Sequence, residues 1–104
     1  EQDPVYRAIC SIRSRVSDIC KAIGQEKKRS TTKAIGLNQE EFKVYIESKF
    51  KKGMTWNNYG EWHIDHIKPL SLATTEEEVM ELNHYTNLQP LWAEENLKKS
   101  NKYE

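Results

Sequence analysis

A disulfide framework is excluded at the outset, because Cys10 and Cys20 are the only cysteines and both fall in one predicted helix. Their spacing corresponds to about 15 Å of helical rise, too far for a bond between them. They form no CxxC pair, so a cysteine-built zinc site is not expected either, and two reduced thiols suit a cytoplasmic protein. Long hydrophobic runs are missing as well. No apolar stretch approaches the roughly 18 residues of a membrane span, and the first twenty residues mix Arg, Asp and Ser among the apolar positions, unlike a signal peptide. No membrane partner is expected. An initiating Met is absent, and the opening on Glu1 suggests a fragment of something longer. With 104 residues the chain has room for one small domain and a thin core.

Net charge is lacking too, with 16 Lys/Arg against 16 Asp/Glu, but its distribution is uneven. Residues 1–60 carry 12 basic and 7 acidic side chains, and residues 61–104 carry 4 and 9. A basic half is suited to phosphates and an acidic half to a cation. Solvated faces would give the same asymmetry, so charge alone does not choose between them.

What is present is clear helical patterning. Asp3 and Pro4 make an N-cap and a first helical position. Val5, Ile9, Ile12, Val16, Ile19 and Ile23 then form one stripe of a helix ending near Gly24, with Arg7, Arg13, Arg15 and Lys21 off the stripe. Residues 25–33, QEKKRSTTK, are expected to be a mobile basic loop, with a helical turn over 32–35 closed by Gly36. Asn38 and Glu41 predict a capping box, with Leu37 and Phe42 as its hydrophobic staple. In the helix that follows, Phe42, Tyr45, Ile46, Lys49 and Phe50 share a face, and Gly53 ends it. The loop 54–60 carries aromatics that argue for packing. Residues 61–67, EWHIDHI, alternate as a strand that Pro69 stops. Thr75 and Glu78 cap a short acidic helix, residues 87–91 are extended, and a final helix runs from Ala93 to about Ser100.

The chemistry centres on Asp65 and His66. A carboxylate is a hard ligand for a divalent ion, and an imidazole is a base with an ordinary pKa near 6.5. Together they are the minimum for holding a metal and deprotonating a water. Adjacent strand residues point to opposite faces, so a bend near Pro69 would be needed for both to serve one site. Residues 62–69 (WHIDHIKP), 85–92 (YTNLQPLW) and 95–99 (ENLKK) resemble, in order, segments of the HNH endonuclease family, above all its compact phage and prophage members. The resemblance is strong over 53–102, looser over 35–52 and vague before that.

The resemblance implies an α+β fold: a ββα-metal (His-Me finger) unit over 53–104, preceded by two helices over 1–52 that contact DNA. It implies His66 as general base and Asn87 as the residue that braces the ββ loop and orients that base. Asp65 and Asn96 become the protein ligands of one divalent ion. Many family members have a His four residues after the helix ligand. Here that position is Ser100, which leaves two oxygen ligands and favours Mg2+ or Mn2+ over Zn2+ or Ni2+. His63, on the same strand face as Asp65, is an auxiliary candidate that would shift the balance towards the softer ions. Lys99 and Ser100 share a helical face with Asn96. His84 is read as structural. Trp56, Tyr59, Trp62, Tyr85 and Trp92 are read as core packing rather than base-stacking groups. The implied activity is phosphodiester hydrolysis in double-stranded DNA, by nicking, with 5′-phosphate and 3′-hydroxyl ends. Lys27, Lys28, Arg29, Lys33, Lys98 and Lys99 would hold flanking phosphates. A bacterial or phage-infected cytoplasm is the expected setting, with phage packaging proteins as partners if the chain is phage-encoded. A DNA-binding module without activity and an interaction domain with a structural metal are the competing expectations.

Overall fold

The computed structural model describes residues 3–99. Helix α1 (Pro4–Ala22) starts where the Asp3 side chain accepts the Val5 N–H at 2.9 Å. Its stripe is the backbone of the core: Val5, Ala8, Ile9, Ile12, Val16 and Cys20 are buried, and Ile19 and Ile23 are partly so. Truncating a fully buried member such as Ile12 to Ala would cost about 2–5 kcal/mol through lost burial and the cavity left behind. Cys10 and Cys20 are both free.

The segment expected to be a mobile loop is instead fastened. The backbone N–H groups of Lys28 and Arg29 donate to one Glu76 carboxylate oxygen at 3.0 and 2.8 Å, and the Arg29 guanidinium pairs with the other. Gln25 Oε1 accepts the Glu76 N–H at 3.1 Å in return. Helix α2 (Thr31–Ile35) follows, capped by Ser30 and ended by Gly36 at φ +85°, where any side chain would be strained. Three helices therefore precede the first strand rather than two. The expected helical turn has become an element of its own because Thr31 and Ile35 are buried.

Helix α3 (Gln39–Glu47) has both capping-box bonds, Glu41 N–H to Asn38 Oδ1 at 2.8 Å and Asn38 N–H to Glu41 Oε1 at 3.0 Å. It stops before Phe50, whose ring is held by Trp56 and Trp62 at 5.6 and 5.1 Å instead of by helical geometry. The aromatic loop is packed, as its composition suggested. Trp62 is fully buried, and its Nε1 donates to the Thr55 carbonyl at 2.8 Å and to Asn58 Oδ1 at 2.9 Å. Trp56, Tyr59, Tyr85 and Trp92 pack around the same core.

Strand β1 (Trp62–His66) pairs antiparallel with β2 (Leu88–Trp92), placing Asp65 opposite Gln89 and His66 opposite Leu88. Pro90 is tolerated because each strand of a two-stranded sheet keeps one free edge. Between the strands lies α4 (Glu76–Leu82). Thr75 Oγ1 accepts the Glu78 N–H at 3.2 Å, while the Glu78 carboxylate reaches back to Thr74 rather than to the cap residue. Helix α5 (Ala93–Lys99) follows β2 directly and packs on both strands, while α1 packs on β1 and on α4. The fold is α+β, and residues before and after position 53 share one core. No helix among the described residues is long and apolar enough to cross a membrane.

Candidate functional site

The end of β1, the turn after it, α1 and α5 enclose a cavity of about 250 Å3. Asp65 and His66 enter it from the strand, Lys99 from α5, Arg15 and Asp18 from α1, and Ser71 from the turn beyond Pro69. Both strand residues are buried, so the sheet is covered on the two faces that a regular strand would give them.

The His66 ring is 1% exposed, and its Nε2 lies 2.8 Å from Asn83 Oδ1. Asn83 is itself fully buried, and its Nδ2 donates to the Val79 carbonyl at 2.7 Å. That bond fixes which end of the amide is the oxygen, so His66 Nε2 carries the proton and donates it to Asn83. Nδ1 is left with its lone pair, buried and without a partner. Burial drives the ring's pKa from 6.5 down to about 4, and the charges of Arg15 and Lys99 push the same way against the Asn83 hydrogen bond and Asp65. At neutral pH the ring is an uncharged base. An anion entering the cavity would raise its basicity again, since opposite charge favours the protonated form.

Asp65 is satisfied from two sides. Gln89 Nε2 donates to Oδ2 at 2.9 Å, and Lys99 Nζ donates to Oδ1 at 3.2 Å and to the His66 carbonyl at 2.8 Å. Two hard oxygens thus converge on one cation, the Lys99 ammonium. Among the described residues no three His, Cys, Asp or Glu side chains come together. Asn96 is half-buried on α5 one turn before Lys99, and its side chain is not part of the cavity wall.

Asn87 braces the turn after β1: it accepts the Lys68 N–H at 2.9 Å and donates to the Lys68 and Leu82 carbonyls at 3.1 and 2.7 Å. The residue that touches the His66 ring is Asn83, which sequence reasoning passed over. An Asn at the end of a helix looks like an ordinary cap. Arg15 was likewise only a residue off the apolar stripe, and yet its Nη1 donates to the Ile64 carbonyl at 3.0 Å. His63 turns away from the cavity, its ring edge-on to Tyr59 at 5.7 Å. His84 serves its own turn, with Nδ1 2.9 Å from Thr86 Oγ1 and its ring against Tyr85. Lys98 pairs with Glu94 on the outer face of α5. Ser100 lies outside the described residues. Lys28, Arg29 and Lys33 border a separate groove of about 720 Å3 that shares no wall residue with the Asp65–His66 cavity.

The chain is 36% identical over 94 residues to one uncharacterized protein of Acanthamoeba polyphaga mimivirus and 30% identical over 94 residues to another. Each match covers 88% of this chain but 40% of the viral protein, so the chain spans about two fifths of the length of these curated relatives. No family model matches the chain, and no solved structure does.

Proposed function

We propose that the chain is an HNH-type, metal-dependent endonuclease that hydrolyses phosphodiester bonds in double-stranded DNA. The observation that carries this reading is the state of His66. It is a buried, uncharged imidazole with one nitrogen tied to Asn83 and the other left with an unshared, buried lone pair, in a residue that lines the same cavity as Asp65. The pairing of β1 with β2 and the seating of α5 on both strands support reading these three elements as a ββα-metal unit.

His66 Nδ1 accepts a proton from water as the water oxygen attacks phosphorus in line. The bond to the 3′ oxygen breaks, that oxygen departs with the bonding pair and takes a proton from solvent water, the 5′-phosphate remains on the other strand end, and His66 returns its proton to solvent. Asp65 would hold Mg2+ or Mn2+, with Asn96, on α5 but outside the cavity wall, as the second ligand that the resemblance implies, and the ion would stabilise the charge that grows on the phosphate oxygens and the leaving oxygen. Asn83 keeps the ring in the tautomer that leaves Nδ1 open, and Asn87 holds the turn that follows it.

The test is nicking of supercoiled plasmid by the full chain with Mn2+, beside His66→Ala. The wild type is expected to nick. The variant should lose about 10²–10⁴-fold in rate, the usual cost of a general base, while still binding DNA. A wild type that binds without cutting, or a variant with near-normal turnover, would overturn the reading.

A further inference from the structure

We infer that Arg15 of α1 is the phosphate-binding residue of this cavity, gripping the phosphodiester whose attacking water is held at His66. The inference deepens the endonuclease reading and rests on it for the identity of the substrate. Its physical basis is separate, because Arg15 lies on a helix far in sequence from β1 and α5.

Three observations converge. The Arg15 side chain crosses from α1 to β1 and is anchored by one hydrogen bond, from Nη1 to the Ile64 carbonyl at 3.0 Å. A guanidinium has five N–H donors in a rigid fork, so several remain for another acceptor. Among the described residues Arg15 forms no ion pair with a carboxylate. Arg29, by contrast, spends its charge on Glu76. An oriented guanidinium at the wall of a cavity, with no carboxylate in ion-pair contact, can take an anion with paired oxygens.

The second group awaiting a ligand is His66 Nδ1, buried and without a donor to satisfy it. Such a group is an exception among buried polar atoms and calls for a specific occupant. A carboxylate would engage Arg15 but bring no proton to Nδ1. A phosphodiester together with its attacking water answers both, offering oxygens to the guanidinium and an O–H to the imidazole. Lys99 and Asp18 complete the charge pattern: two cations and two carboxylates face the cavity, and Lys99 is already engaged by Asp65, which leaves Arg15 as the cation with donors to spare.

Two measurements test this, on the full chain with Arg15→Gln and Arg15→Lys. The first is the single-turnover nicking rate at saturating plasmid, read beside duplex affinity from fluorescence anisotropy in Ca2+. Arg15→Gln should lower the rate by about 10²-fold, as removal of a preorganised donor to a developing charge does, with a much smaller loss of affinity. Arg15→Lys should recover only part, because an ammonium lacks the fork. An unchanged rate, a loss confined to affinity, or full recovery by Lys would each overturn the assignment. The second measurement needs no activity: inorganic phosphate is titrated while the His66 imidazole 15N signals are followed. A saturable shift that weakens about tenfold in Arg15→Gln supports the site even if the wild type never nicks, in which case the endonuclease reading alone has failed. Phosphate that leaves those signals unmoved in the wild type overturns the site.

Discussion

Two oxygens share one ammonium in the cavity, Asp65 Oδ1 and the His66 carbonyl, both held by Lys99. Under the proposed function, a divalent ion bound to Asp65 would compete with that ammonium for the same lone pairs and be repelled by its charge. Lys99→Met should therefore tighten Mn2+ binding by roughly tenfold, or about 1.4 kcal/mol, when read by titration calorimetry. Asp65→Ala should instead weaken it severely, with loss of nicking that high Mn2+ restores in part. Equal affinities for wild type and Asp65→Ala would place the ion elsewhere. At this scale the pairing of Asp65 and His66 at one cavity was legible, because the two are adjacent in sequence and their flanking segments coincide with the strand and the turn that place them there. Asn83 and Arg15 were not. Their partners lie 17 and 49 positions away, and nothing local distinguishes a buried Asn that orients a ring from one that ends a helix.

Elements were legible where their signals are local. Asp3 with Pro4, Asn38 with Glu41 and Thr75 with Glu78 act within four residues, and each marks a helix start that the structure has. The end of α3 was not legible, because Phe50 keeps helical spacing while tertiary contact with Trp62 takes it off the helix. The loop before α2 was misjudged for the same reason: its anchor, Glu76, is 47 and 48 positions away. Burial raises the pKa of the Glu76 carboxyl, but the N–H groups of Arg29 and Lys28 and the Arg29 guanidinium outweigh burial and leave it below the ordinary 4.5. A depressed carboxylate stabilises the fold above its unfolded pKa, and that contribution disappears as pH falls through the folded value. Glu76→Gln should melt several degrees lower than wild type at pH 7 and open the 25–30 loop to proteolysis. The gap in Tm should close only as pH falls through that depressed folded-state value, where the wild-type carboxylate also becomes neutral. A gap of the same size at low pH would mean that packing, not charge, fastens the loop.

The whole molecule sets its charges apart, basic before position 61 and acidic after it, yet folding does not leave all of the basic groups available. Arg29 is committed to Glu76, Lys51 pairs with Glu95, and Lys98 with Glu94. Lys28 and Lys33 remain exposed beside or on α2, and Lys27 is exposed beside α1 with Arg13, all on surface distinct from the cavity that α1 and the strands line. If this surface holds flanking phosphates, each contact releases counterions and steepens the fall of log affinity with log salt by about 0.9. Changing these three lysines to Gln, with Arg29 left to keep the Glu76 clasp, should flatten the slope by roughly two to three units on the same rule. The single-turnover rate at saturating DNA should hardly change, since none of the three borders His66 or Asp65. That separation of salt slope from rate is the expected mark of a surface that positions the duplex while another part of the fold does the chemistry. An unchanged slope would leave the three lysines merely solvated and move the DNA track to the α3 end, where Lys49 and Lys52 are exposed.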